Sequence, residues 1–159
     1  MRYMYLIDLL TPARVVAGAS VTGKKRLLEL LASLLADQQG GDIERRIFDG
    51  LCAREKLGST ALGRGVAIPH GRNAALNGAV GAFVRLSEPI DFGAPDGQPV
   101  DLFFALGVPE HFTNQHLLLL SQLAEMFSDA SFTQRLRNAP DSAALYALLS
   151  DWQITHAAA

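Results

Sequence analysis

Gly58-Ser59-Thr60-Ala61-Leu62-Gly63-Arg64-Gly65-Val66-Ala67-Ile68-Pro69-His70-Gly71-Arg72 interrupts a chain that is otherwise periodic and apolar. The stretch reads as a turn-rich loop followed by one short strand. Pro69 restricts Ile68 to extended backbone, which places His70 just beyond that strand. Gly71 would then let the chain turn away without covering the imidazole. Glycines at 58, 63, 65 and 71 would let successive backbone N–H groups converge on an anion. Ser59 and Thr60 add hydroxyls, Arg64 and Arg72 add positive charge, and Arg54 lies just upstream.

Outward from this stretch the periodicity changes sign. Upstream the pattern is helical. A short helix or turn at Tyr5–Leu10 precedes an extended piece, Arg14–Ala17. A helix through about Asp37 follows, with Ser20 and Thr22 as candidate N-caps and Leu27, Leu28, Leu31, Leu34 and Leu35 on one face. Gly40-Gly41 ends it, and Asp42 would cap a second helix from Ile43 to about Glu55 that buries Ile47, Phe48 and Leu51. Downstream, Ala79–Leu86 is strand-like, and Val100–Val108 is an almost unbroken apolar run of the kind a strand covered on both faces needs. Glu88–Pro99, with its Asp-Gly pair, reads as a turn region between them. Helices follow at His116–Phe127, Ser131–Arg137 and Asp141–Asp151. Strands in the middle with helices on either side predict an α/β fold, a sandwich in which a central mixed sheet is flanked by helices. No linker or repeat divides the chain, so residues 1–159 are expected to form one domain with a core from about 6 to 151.

Composition narrows the function. With 49% hydrophobic and 19% charged residues the chain is globular, and a net charge of −2 offers no general attraction to nucleic acid or anionic lipid. Cys52 is the single cysteine, so there is no internal disulfide and no Cys/His zinc spacing. The N-terminal segment lacks a cleavage site, and no apolar run reaches the roughly 20 residues that span a bilayer. A soluble cytoplasmic protein without membrane insertion is expected.

The glycine-rich stretch resembles a nucleotide-binding P-loop only in part. Gly58 and Gly63 are correctly spaced, but Arg64 stands at the lysine position and Gly65 at the metal-binding hydroxyl position. A helical pattern precedes it where a P-loop needs a strand. Ser59 has no Gly-x-Ser-x-Gly context, which removes the serine-hydrolase reading. His70 remains, because neutral imidazole is a competent nitrogen nucleophile near neutral pH. On the residues alone, two readings of His70 stand side by side: a loop histidine without special role, and a phosphoryl-accepting nucleophile.

Arg54-Glu55-x-x-Gly58-Ser59-Thr60-x-x-Gly63-x-Gly65-Val66-Ala67-Ile68-Pro69-His70-Gly71-Arg72 resembles the signature of the fructose/mannitol-type IIA domains of the bacterial phosphoenolpyruvate phosphotransferase system, and most fully their nitrogen-regulatory branch. Glu88–Phe92, Gln98–Leu106, Val108-Pro109 and His116-Leu117 follow the same family in order, so the likeness runs from about Lys24 to Leu149. It implies a compact α/β sandwich in which His70 accepts a phosphoryl group from a histidine-containing phosphocarrier protein. It further implies that His116 is the second active-site histidine, opening a helix whose free N–H groups face the phosphate. Arg54 would pair with phosphate oxygens, and Ser59 and Thr60 would line the pocket. No cofactor and no metal is required by this chemistry. A chain of this length without fused transporter domains points to the regulatory branch, whose targets include potassium-transport and sensor proteins. Two alternatives remain. The phosphoryl group could pass to a IIB domain for fructose/mannitol-type sugar uptake, or the fold could act as a binding module with vestigial transfer.

Other conspicuous residues have plainer readings. His111 and His156 read as solvated, Cys52 as a small buried hydrophobe, and Lys24-Lys25-Arg26 as an exposed basic turn rather than a footprint for an acidic partner. Asp101, inside an apolar run, must be paired or lie at a strand end. Leu117–Leu120 is more apolar than that position is in typical members of the family, which bears on docking rather than transfer.

Overall fold

The computed structural model describes residues 6–111 and 114–156, so Tyr5 lies outside the described residues. β6 (Val100–Val108) is the strand on which the rest is laid. Its side chains alternate between two apolar layers: Leu102, Phe104, Leu106 and Val108 join one, Phe103 and Ala105 the other. β5 (Val80–Ile90) runs antiparallel beside it, with Phe83 opposite Phe104 and Val84 opposite Phe103. β1 (Val15–Ala19) pairs parallel to β5. On the other edge of β6 lie β3 (Val66–Ala67) and β4 (His70–Arg72), both parallel to it, and β2 (Ala61–Gly63) pairs antiparallel to β3. The sheet is mixed, as the sequence pattern implies.

Two helical layers cover it. α1 (Lys24–Ala36) and α2 (Gly41–Lys56) bury Leu27, Leu31, Leu35, Ile47 and Leu51 against Val84, Phe92, Phe103 and Ala105. On the opposite face α3 (Asn114–Ser128), α4 (Ala130–Asn138) and α5 (Ser142–His156) bring Leu119, Leu123, Phe127, Leu136, Leu145 and Trp152 onto Phe83, Phe104 and Leu106. Burial of several such side chains in each layer, each contributing about 1.5–3 kcal/mol, holds the sandwich closed.

Local details depart from expectation where tertiary contacts override local signals. α1 starts after Gly23, and neither Ser20 nor Thr22 caps it. Its first residue is held from outside, Lys24 Nζ lying 3.0 Å from Glu55 Oε1 and 4.3 Å over the Phe92 ring. The basic turn is therefore partly an internal anchor. α1 ends where the pattern places it, at Ala36, with Asp37 as a left-handed C-cap at φ 49° that pairs with Arg14 at 2.9 Å, three residues before Gly40-Gly41. Gly40 precedes α2, leaving Asp42 inside the first turn, paired with Arg46. Asp101 is paired, near the start of β6, with its carboxylate held by Arg137 at 2.9 Å. β5 continues to Ile90, which pairs with Val100, so the turn region is shorter than Glu88–Pro99.

Candidate active site

The stretch from Gly58 to Arg72 is not a loop with one strand but a hairpin followed by two collinear strand pieces. Arg64 and Gly65, at φ 56° and 80°, form a two-residue turn with both residues left-handed, the geometry that suits the twist of β2 and β3. The turn does not cradle an external anion. The Arg64 backbone N–H donates to the Asp96 carboxylate at 2.8 Å, and a Cβ on Gly65 would strike Arg137 and Asp101.

Between β3 and β4 the chain alongside β6 is broken at Pro69, which has no N–H to give. The Ile68 N–H turns to the Thr60 carbonyl, away from β6, while the Pro69 carbonyl accepts from Leu106. A break between two strand pieces is a place where a sheet tolerates proline. The consequence is local. The Ile68 carbonyl is free to meet the ring of His70 two residues on, and His70 Nδ1 lies 2.8 Å from it. A carbonyl only accepts, so Nδ1 carries the proton and Nε2 carries the lone pair.

His70 opens β4 rather than sitting just beyond a strand, and Gly71 lies inside β4 rather than in a turn. The missing Cβ at Gly71 serves packing, since one placed there would meet the Gly50 backbone at 3.1 Å. α2 thus approaches β4 closely enough to bring Arg54, near its C-terminal end, to the same cavity as His70. The Arg54 guanidinium donates to the Gly58 carbonyl at 2.7 Å and closes the chain leaving the helix.

From the opposite layer comes His116, in the first turn of α3 and only 6% exposed. Its ring stands edge-on to that of His70, centroids 5.2 Å apart and planes at 71°. Burial, then the charges of His70 and Arg72, push its pKa from 6.5 to about 4. Burial also lowers that of His70, with Arg54 adding to the fall, while the Ile68 carbonyl and Glu55 oppose it. Both rings are neutral at neutral pH. His116 Nδ1 is buried with no hydrogen-bond partner among the described residues.

A cavity of about 390 Å³ unites these groups. His70, His116, Arg54 and Arg72 bring its polar chemistry, while Gly50, Ala53, Leu57, Gly71, Leu117 and Leu120 complete the wall. Leu57 is 85% and Leu117 64% exposed, so an apolar rim flanks the two imidazoles. Ser59 and Thr60 do not line it. Ser59 Oγ donates to the Phe92 carbonyl and accepts from Ala61 N–H. Thr60 Oγ1 donates to the buried Glu55 carboxylate, which also accepts the Thr60 N–H. Their hydroxyls pin the loop after Arg54 instead. His111 is exposed and outside the cavity wall. Cys52 is half-buried, its thiol pKa raised mainly by burial. The side chain of His156 lies outside the described residues. Among the described residues no cluster of three or more His, Cys, Asp or Glu could hold a metal ion, and no helix is long and apolar enough to cross a membrane.

The sequence reading missed the Ile68 carbonyl, Glu55, Lys24 and Gly50. None carries a signal of its own, because each matters only through a neighbour distant in the chain or through its backbone.

Comparison with known proteins fits this geometry. Residues 8–152 match the family described as phosphoenolpyruvate-dependent sugar phosphotransferase system, EIIA 2. The nitrogen regulatory protein of Pseudomonas aeruginosa is 45% identical over 148 residues, covering 93% of this chain and 96% of that protein. The crystal structure of nitrogen regulatory protein IIA-Ntr from Neisseria meningitidis superposes with a TM-score of 0.84 at 44% identity, over 91% of this chain and 98% of the other. IIA mannitol from Escherichia coli, at 21% identity and a TM-score of 0.73 over 88% and 98%, shares the fold. The paired imidazoles at the sheet edge therefore sit in a chain that belongs to the EIIA 2 family of the phosphotransferase system, within its nitrogen-regulatory branch.

Proposed function

We propose that His70 accepts a phosphoryl group from a histidine-containing phosphocarrier protein and that its phosphorylation state is the signal, in the cytoplasm where such donors work. The observation that carries the reading is the locked tautomer: Nδ1 on the Ile68 carbonyl at 2.8 Å, Nε2 directed away, and a second neutral imidazole 5.2 Å off. In the transfer, the Nε2 lone pair attacks phosphorus while the donor P–N bond breaks, its electron pair leaving on the donor nitrogen. The ring of His70 becomes positive and keeps its Nδ1 proton, which the Ile68 carbonyl stabilises at no cost of reorganisation. Arg54 neutralises phosphoryl oxygens. His116 offers those oxygens a ring N–H, and the first-turn N–H groups of α3 add to it. Ser59 and Thr60 act by holding the loop that bears on Arg54. The exposed Leu57 and Leu117 would contact the donor protein. The downstream target is a regulatory protein recognised by the unphosphorylated or the phosphorylated face.

The test is incubation with phosphoenolpyruvate and the general phosphotransferase proteins, followed by intact-mass measurement. Wild type should gain one acid-labile phosphoryl group, His70→Ala none, and His116→Ala the same group more slowly. Wild type that gains no mass would leave only the binding-module reading. Onward loss of the group to an added IIB domain would favour sugar uptake.

A further inference from the structure

Two arginines line the cavity and no carboxylate does. Both imidazoles are pushed toward neutrality, so its charge comes from Arg54 and Arg72. They are not equivalent. Arg54 spends part of its guanidinium on the Gly58 carbonyl, which fixes it. Arg72 makes no hydrogen bond or ion pair through its side chain among the described residues, and it is exposed. Strand geometry sets where it stands. In β4 the side chains at 70 and 72 share a face, while position 71 faces Gly50 of α2. The partners on β6 are Leu106 and Val108, both in the layer that contains α3, and hence His116.

We infer that Arg72 is a further phosphate-directed residue of this site, the unspent cation that draws the incoming phosphoryl group to His70 while Arg54 supplies the fixed one. The inference rests on the phosphoryl-acceptor reading of His70. Its action is on the anion itself and not on the surface of a donor protein, because it shares the cavity with the two rings. A charge-assisted contact of this kind is lost outright when the guanidinium is removed, a change of about tenfold or more.

Phosphorylation of wild type, Arg72→Gln and Arg72→Lys is to be followed with two donors, phosphoramidate and the phosphorylated histidine phosphocarrier protein. Arg72→Gln should raise the half-saturating donor concentration about tenfold for both donors, with the limiting rate constant of the single phosphorylation within twofold; Arg72→Lys should restore most of the loss, and high salt should shrink the difference by screening. A position that merely supports the fold would not respond to salt or be rescued by lysine. If Arg72→Gln slows only the protein donor, Arg72 contacts the donor's surface and the inference fails. It fails equally if Arg72→Gln matches wild type within twofold with phosphoramidate, while His70 phosphorylation itself stands. Wild type that takes a phosphoryl group from neither donor brings down the function of His70, and this inference with it.

Discussion

His70 and His116 resist protonation because each leaves water for a site already facing a cation. With His70 as the proposed phosphoryl acceptor, this would keep its lone pair available in mildly acidic medium, and the pH–rate profile of its phosphorylation should bend below the ordinary imidazole range. For His116 the shift is also a statement about stability. Between pH 6.5 and about 4 the unfolded chain binds a proton here that the folded chain refuses. Stability therefore falls as pH drops through that window, by up to about 3 kcal/mol at roughly 1.4 kcal/mol per pH unit. His116→Gln cannot bind that proton and should lack this part of the acid loss. Urea unfolding of both proteins across the window checks it, and parallel curves would sink the idea.

At the scale of elements, the contact that matters is α2 against β4. The Gly50 and Gly71 backbones meet where a side chain on β4 would intervene. Gly71→Ala should force α2 outward, cost about 1–3 kcal/mol by overpacking, and slow phosphorylation because Arg54 withdraws from His70. Gly50→Ala meets only the Arg72 carbonyl at 3.4 Å, an ordinary contact, and gains helix propensity of about 1 kcal/mol, so it should be close to neutral or stabilising. Urea midpoints of the two variants measure the contrast; equal losses would mean that the close approach is not what positions α2. The same helix is tied at its end by Glu55 to Lys24 and Thr60, so the loop after Arg54 is anchored to α1 as well.

For the whole molecule, the two apolar layers share one sheet. Phe103 faces α1 and α2, while its neighbours Leu102 and Phe104 face α3 to α5. Disrupting β6 from either side disrupts both, so unfolding should be one cooperative transition. Trp152 reports the α5 layer by fluorescence, and far-UV circular dichroism reports all helices. Phe103→Ala, in the layer remote from Trp152, should cost about 3–5 kcal/mol and move both midpoints together. A Trp152 midpoint left behind would mean that the layers unfold separately. Much of this architecture was legible in the chain. The almost unbroken apolar run at Val100–Val108 is a strand covered on both faces, and the leucines of α1 fall on one side because a single layer receives them. The start of α1 at Gly23 was less legible, because the salt bridge from Lys24 to Glu55 outweighs the local capping signal of Ser20 and Thr22.

By itself the sequence determined the class of sheet, its helical coverage, the exclusion of a P-loop and a serine elbow, and, through the motif ending in Ile68-Pro69-His70-Gly71-Arg72, the family. Periodicity and motif are local, and a single chain carries them openly. Only the tertiary structure decided which ring nitrogen of His70 is free, that His116 stands 5.2 Å away from it, and that Ser59 and Thr60 brace the loop instead of lining the cavity. It also separated the committed Arg54 from the unspent Arg72. Those facts depend on backbone carbonyls and on partners brought together by β6 and α2, and hydrogen bonds of that kind leave no pattern in the order of residues.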